Sequence, residues 1–331
     1  MKILMRAVVI REPGEADVLE LREVSRPTPA PGEILVRVAT SGINRADILQ
    51  RHGRYPVPAG YPEDILGLEY SGVVEASGPE VPDELGATGR EVMGITGGGA
   101  YAEYVVVPAT TAVPIPTCVT LADAGAIPEV FMTAFDAVFL QEGLQEGETL
   151  LVHAAGSGVG TAAIQLARRA GARTLGTSRT AAKLERAQGV GLDFPILGDD
   201  AWPEQVLQIT EGRGVDVILD LVGGPYLAGN QAVLASQGRQ IVVGVPGGAK
   251  VEIDLRALMR HRGSIRGTVL RARPLAEKES LARAFVRDVL PGFEDGSLYP
   301  VIDRVFGAED AADAHRLVES NGTFGKVLLS W

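Results

Sequence analysis

The sequence predicts an α/β protein, with a doubly wound parallel sheet in its second half and a mostly β first half. Three observations carry that expectation. From Glu148 onward, short apolar strands alternate with amphipathic helices, the rhythm of βαβ units. Within that stretch, "LLVHAAGSGVGTAAIQLARRAGA" joins a strand, a glycine-rich turn and a helix with no polar catalytic residue. Up to about Pro128 the segments are instead short, rich in Val and Ile, and broken by Pro and Gly.

The 331 residues suffice for two domains of ordinary size, each with its own core. An apolar fraction of 46% against 22% charged is that of a soluble globular chain. A net charge of −11 repels phosphate backbones and anionic lipid, so neither nucleic acid nor a membrane surface is an expected partner. Cys118 is the single cysteine, which excludes an internal disulfide and a cysteine-rich zinc lobe and suits a reducing, cytoplasmic setting. Lys2 and Arg6 flank an apolar start, but "MRAVVIREPG" runs directly into charged residues, which predicts a first strand and not a secretory leader. No apolar run reaches the roughly 18 residues that a bilayer span needs.

Taken in order, "SRPTPAPGEILVRVATSGIN" and "GGGAYAEYVVVPATTAVPIP" read as strands separated by turns. Next come strand "TLLVHA", helix "TAAIQLARRA", strand "RTLGTS", helix "AAKLERAQ", strand "DVILDLVG", a helix near "YLAGNQAVLAS" and strand "RQIVVGV". Beyond "GSIRGTVL" follow a helix around Leu275 to Leu290, a strand near "YPVIDRVF", the helix "EDAADAHRLVES" and a last strand "KVLLSW". These late pieces are candidates to complete the sheet of the first half. There is no internal repeat or low-complexity tract.

The helix after the glycine turn carries Ala163, Ile164, Ala167 and Ala170 on one face, and Arg168 and Arg169 precede Gly171, a good helix terminator. The turn sets Gly156, Gly158 and Gly160, with Ala155, Ser157 and Val159 among them, where free N–H groups at a helix start can hold a pyrophosphate. The strict G-x-G-x-x-G frame ending at Gly160 reads Ala155, Ser157, Gly160. Alone, the turn is therefore also an ordinary βα connection, and the surrounding strands are what favour a dinucleotide. After the next strand, "TLGTSRTAAK" has no acid until Glu185 and presents Ser178, Arg179, Thr180 and Lys183, a set suited to a 2′-phosphate. NADPH is the expected cofactor. Asp220, Val222, Gly223 and Gly244 fall at the carboxyl ends of later strands, where cofactors rest in such sheets. His153 reads as a packing residue.

With these segments the chain resembles the medium-chain dehydrogenases/reductases of the quinone oxidoreductase group, related to zeta-crystallin and most similar to the tumour-suppressor-inducible quinone oxidoreductases. "SGINRADILQRHGRYPVPAG", "ILGLEYSGVV", "GGGAYAEYVVVP", "AIPEVFMTAF", "HAAGSGVGTAAIQLARRAGA" and "NGTFGKVLL" occur in the family's order. The A-x-x-S-x-x-G frame from Ala154 through Ser157 to Gly160 belongs to this subgroup and accounts for the absent glycines. The resemblance implies a GroES-like catalytic domain built from both chain ends, 1–127 and 268–331. A Rossmann NADP-binding domain, 128–267, lies between them in sequence, the active site is in the cleft, and the assembly is a homodimer.

Zinc-dependent relatives carry a Cys where this chain has Asn44 and a His where it has Leu68, and their third ligand position falls on Glu129. One carboxylate with Asn and Leu cannot supply the ligands zinc needs, so no catalytic metal is expected. Carried over residue by residue, the resemblance places Asn44, Asp47 and Tyr55 at the nicotinamide pocket and Thr133 against the cofactor. Backbone at Val243, Gly244 and Val245 and at Thr268, Val269 and Leu270 would hold the carboxamide edge, and Asn321 to Thr323 the phosphates or ribose. A tyrosine that many relatives place near the 2′-phosphate is replaced by Gly198 or its neighbours, which leaves more of that work to Arg179 and Lys183. Taken singly, Tyr55 is equally a loop aromatic, Thr133 a helix-packing residue and Asn44 a turn former.

The expected function is metal-free, NADPH-dependent reduction of quinones by hydride or electron transfer, with positioning carrying most of the catalysis. A rival is reduction of α,β-unsaturated carbonyls, in which hydride goes to the β-carbon and Tyr55 or water protonates the α-carbon. A third reading is a catalytically idle NADPH-binding structural protein, as crystallin relatives illustrate.

Overall fold

The computed structural model describes residues 3–331; Lys2, which flanks the apolar start, lies outside them with Met1. Along the chain run β1 (Leu4–Ile10), β2 (Leu19–Ser25), β3 (Glu33–Ile43), α1 (Arg45–Arg51), β4 (Glu69–Ser77), the single turn α2 (Asp83–Gly86), β5 (Glu91–Ile95), β6 (Tyr104–Pro108), β7 (Val113–Pro114) and α3 (Pro128–Phe135). The βα alternation follows, with β8 (Thr149–Val152), α4 (Gly158–Arg169), β9 (Arg173–Ser178), α5 (Ala181–Gly189), β10 (Phe194–Leu197), α6 (Trp202–Ile209) and β11 (Val215–Asp220). It continues through α7 (Leu227–Val233), β12 (Leu234–Val242), α8 (Leu255–His261) and β13 (Ser264–Gly267). The last elements are α9 (Leu275–Asp288), α10 (Leu290–Glu294), β14 (Ile302–Gly307), α11 (Ala311–Glu319) and β15 (Lys326–Ser330).

The chain divides into two compact units, one of residues up to Met132 together with Leu270–Trp331, the other Thr133–Val269. The sequence-based boundaries, 127/128 and 267/268, are displaced for identifiable reasons. α3 starts at Pro128, directly after the first of these boundaries, and the division falls within it, between Met132 and Thr133. At the second, Thr268 stays with the inserted unit, because its N–H donates to Val242 O at 3.0 Å and its hydroxyl accepts from Gln141 at 2.8 Å. Leu270, expected among the cofactor contacts, consequently falls in the first unit.

In the first unit a seven-stranded sheet runs β14-β15-β3-β4-β5-β7, with β6 also on β3, and β1 pairs β2 separately. β3 is its spine. The side chains of Ile34, Val36 and Val38 pack with Tyr70, Val74, Val92 and Val105 on one face, while Leu35 and Ile43 are buried as well, so β3 is covered on both sides. β15 pairs antiparallel with β3, Val327 opposite Ile43, so the late strands do complete this sheet.

The second unit holds six parallel strands in the order β10-β9-β8-β11-β12-β13. This is the Rossmann arrangement, with strand order reversing between β8 and β11. Leu151, Leu175, Ile196, Ile218 and Val206 form its core. α4 buries Ala162, Ala163, Ile164 and Ala167, and Gly171 (φ +72°) turns the chain out of it. β12 begins at Leu234, earlier than "RQIVVGV" predicts. A register break around Gln237 (φ +63°) separates its first residue from the rest, so polar "SQG" hides a strand that had already started. Among the described residues no helix is long and apolar enough to cross a membrane.

Candidate active site

Asn44 is the residue at which β3 gives way to α1. Its backbone N–H donates to Asp47 Oδ2 at 2.8 Å, the half of a capping box that an acid at the third helical position supplies. Asp47 Oδ1 accepts from the Gly67 N–H at 3.0 Å. Both oxygens are thereby committed to backbone and the side chain is fully buried. Burial pushes the Asp47 carboxyl up to about 6, against the pull of those two donors. Asp47 holds Asn44 and the Gly67 turn in place from below.

Asn44 turns its side chain toward Glu69 and Lys326: Nδ2 donates to Glu69 Oε1 at 2.9 Å, and Oδ1 accepts from Lys326 Nζ at 2.7 Å. The same ammonium pairs with Glu69 at 2.6 Å and donates to Ile43 O at 2.8 Å. Glu69 Oε2 accepts from the Glu129 backbone N–H, 2.8 Å away in the first turn of α3, where negative charge is favoured. Glu69 is 0% and Lys326 3% exposed. Gly42 makes room for the pair, since a Cβ there would run into the Glu69 carboxylate.

Glu129 itself is different. Its side chain is partly exposed and has no hydrogen bond or ion pair among the described residues. Burial, then the neighbouring Glu69 charge, push its carboxyl up to about 8. Tyr55 lies within electrostatic reach of it. Burial, and after it Glu129, raise the Tyr55 hydroxyl above its ordinary range. The Arg271 guanidinium stands over the Tyr55 ring, 5.2 Å from its centre, and donates to Gly97 O at 2.8 Å and Gln50 Oε1 at 2.7 Å. Its buried Nη1 has no hydrogen-bond partner among the described residues, and the ring face is what the guanidinium has instead. Lys278 donates to Arg271 O at 2.7 Å.

These neighbours do not fit a catalytic zinc. Leu68 is buried where a ligand would stand, Asn44 is bonded to Glu69 and Lys326, and a buried ammonium already compensates the one carboxylate between them. One other cluster of potential ligands among the described residues, Glu15, His52 and Glu319, is claimed by Arg51, which pairs with Glu319 at 2.7 Å.

In the second unit the turn after β8 places Ala154 at φ +54° and caps α4 with Ser157, whose hydroxyl accepts from Gly160 N at 3.0 Å. The N–H groups of Gly158 and Val159 open the helix and have no acceptor within it. Gly160 is required by space, since a Cβ would stand 2.6 Å from Ala154 O. Ala155 and Gly156 complete the turn. Ser178 ends β9, Thr180 stands just before α5, Arg179 is exposed between them, and Lys183 follows in the first turn of α5. Val243, Gly244, Val245, Thr268 and Val269 meet around one cavity of about 340 Å³. Gly223 (φ +88°) approaches Val245 too closely for a side chain, and Asp220 Oδ1 holds the N–H groups of Val222 and Gly223, both at 2.8 Å.

Tyr226 fills the space beside Gly198: a Cβ there would lie 2.8 Å from its hydroxyl, which hydrogen-bonds Thr177 and feels the Arg179 charge. His153 is fully buried, bonded to Thr177 Oγ1 and Asn230 Oδ1 and set edge-on against Trp202 and Tyr226. Thr133 is buried on α3 as the first residue of the second unit. Asn321 (φ +56°) and Thr323 lie in the loop from α11 to β15 in the first unit, Asn321 accepting from Arg45 at 2.6 Å. Sequence reasoning missed Glu69, Lys326 and Arg271; the only visible hint was that "GLE" and "NGTFGKVLL" lie in the segments that carry the resemblance.

A GroES-like unit made of both chain ends and a Rossmann unit are the architecture of the medium-chain, nicotinamide-dependent oxidoreductases. Residues 30–117 match the alcohol dehydrogenase GroES-like domain and residues 190–329 the zinc-binding dehydrogenase domain. The chain is 32% identical over 333 residues to the quinone oxidoreductase of Lama guanicoe, covering 98% of this chain and 97% of that one. It is 31% identical over 326 residues to a phenolphthiocerol/phthiocerol polyketide synthase of Mycobacterium tuberculosis; those residues are 97% of this chain but span only 14% of that protein's length. Among solved structures, an NAD-dependent alcohol dehydrogenase superposes with a TM-score of 0.88 at 34% identity, over 99% of this chain and all of the other. The CurK enoyl reductase superposes with a TM-score of 0.87 at 25% identity, over 98% and 99%. The chain belongs to the quinone oxidoreductase family of the medium-chain dehydrogenases/reductases.

Proposed function

We propose that this protein reduces quinones with NADPH, hydride passing to the acceptor without help from a metal. The observation that carries the reading is the buried Lys326–Glu69 pair bonded to Asn44, which occupies the region where zinc-dependent relatives need a ligand set. Without a Lewis acid to activate an alcohol, the favoured substrate is one that accepts hydride unaided. The cofactor supplies that hydride. The chain's own share is to hold the pyrophosphate on the open N–H groups of Gly158 and Val159 and the carboxamide edge on backbone around Val243 to Val245 and Thr268. Arg179 and Lys183 favour the 2′-phosphate, with no acid beside Ser178 to accept a ribose hydroxyl in its place.

A second reading, reduction of α,β-unsaturated carbonyls, is supported by the likeness to CurK enoyl reductase. Following NADPH and NADH oxidation with benzoquinone, a naphthoquinone and simple enals, with product identification, separates the two. Preference for quinones supports the first reading; stereospecific saturation of enals with quinones ignored replaces it with the second. NADPH binding without turnover of either class leaves a structural nucleotide-binding protein. Replacing both Arg179 and Lys183 by Ala should weaken NADPH binding at least tenfold and spare NADH, because a charge-assisted bond to phosphate is worth about 1.5–3 kcal/mol. Equal binding of the two cofactors by the parent protein would remove the NADPH assignment. The reading includes no zinc, tested by elemental analysis and by activity retained in chelator. It also includes a cytoplasmic homodimer: β13 is paired on one side only, an edge that a second copy can extend, and light scattering measures the assembly.

A further inference from the structure

We propose that Glu129 is the acid that delivers the proton to the reduced acceptor. The inference deepens the function proposed above and rests on it. The charged groups around it are already committed, and of this cluster only the Tyr55 hydroxyl shares its lack of a hydrogen bond among the described residues. Asp47 has both oxygens on backbone N–H groups, and Glu69 accepts from Asn44, Lys326 and the Glu129 N–H. Lys326 is fixed by Glu69, Asn44 and Ile43, Lys278 donates to Arg271 O, and Arg271 is locked onto Gly97, Gln50 and the Tyr55 ring. Glu129 alone combines partial exposure with a carboxyl that no side chain or backbone group engages among the described residues.

Its surroundings also keep the proton on it. Burial and the adjacent Glu69 charge oppose ionisation and outweigh the pull of Lys326 and Arg271, so that at neutral pH Glu129 is mostly a carboxylic acid. The Lys278 charge also acts on it. Tyr55, the donor that sequence reasoning offered, is the poorer acid because burial and Glu129 both hold its proton on. A general acid with a pKa near the working pH is the effective one.

The quinone takes a hydride from the reduced nicotinamide and becomes a hydroquinone monoanion. The Glu129 O–H bond breaks as its proton forms an O–H bond on that anion, and the carboxylate left behind is reprotonated by water. For an enone the same proton would go to the α-carbon of the enolate.

The test is steady-state NADPH oxidation by benzoquinone from pH 6 to 10, with NADPH binding followed by fluorescence. Glu129→Gln should lower kcat about 10²-fold or more, the range of a lost general acid, while KM for benzoquinone and NADPH binding stay within about twofold. The parent's fall in kcat above about pH 8 should vanish in this variant. Glu129→Asp, which keeps an acid on a shorter stem, should retain that fall at a reduced kcat. It also carries the test if the Gln variant does not fold, a loss of less than about threefold then counting against the proposal. A folded Gln variant within about threefold of the parent, with the same pH profile, overturns the proposal and leaves the quinone reading intact. A parent protein that binds NADPH but turns over no acceptor overturns both.

Discussion

At the scale of single residues, the site is defined by pairs whose members lie far apart in the chain. Lys326 meets Asn44 across 282 positions and Asn44 meets Glu69 across 25, and both contacts exist only because β15 and β4 flank β3 in a fixed register. Asn44, Asp47 and Tyr55 were singled out because one contiguous segment carries the resemblance, whereas Glu69 and Lys326 have no local pattern that marks them as partners. Lys326→Met should cost about 3–5 kcal/mol in urea unfolding, because it strands a buried carboxylate. The double change with Glu69→Gln should recover part of that loss. Glu129 acts on stability through its proton. Its carboxyl titrates near 8 in the folded chain against an ordinary 4.5, so between those values the folded state binds the extra proton and stability falls as pH rises. Glu129→Gln should therefore melt higher than the parent at pH 9 and match it at pH 4, as calorimetry at the two pH values would reveal.

At the scale of elements, the most constrained junction is the turn from β8 into α4. With Gly160 this close to the Ala154 carbonyl, Gly160→Ala must push the helix off the strand. A loss of about 1–3 kcal/mol in denaturant unfolding is expected, together with weaker nucleotide binding, since the same turn presents the open N–H groups. This junction was readable from local sequence because strand, turn and helix follow one another without interruption. β10 and α6 were not. β10 has four residues including a proline, and α6 is an eight-residue helix, so neither offers enough periods for a pattern to emerge. The same limit hid Tyr226, which reaches the Gly198 gap from the other half of the sheet and is invisible in the local run after β9.

At the scale of the whole molecule, the two units differ in how the chain builds them. Thr133–Val269 is contiguous, and its six strands close on neighbours supplied by the same segment. The other unit needs both ends of the chain, because the central strand β3 lies between β4 and the late strand β15. Alternation of βα units made the first arrangement legible, but the second could be foreseen only as late strands without a sheet of their own. A fragment spanning 133–269 should refold cooperatively, whereas a chain ending before β15 should leave the first unit molten. Hydrogen exchange by residue would separate the two outcomes, and uniform protection of the truncated chain would mean that the first unit does not need β15.

The late arrival of Lys326 also sets an order of events during synthesis. Asn44, Asp47 and Glu69 leave the ribosome long before their cation does, and until Lys326 emerges Glu69 has no ammonium to compensate it. The contiguous second unit can form on the nascent chain in the meantime, whereas the Asn44–Glu69–Lys326 cluster is complete only once β15 has docked beside β3.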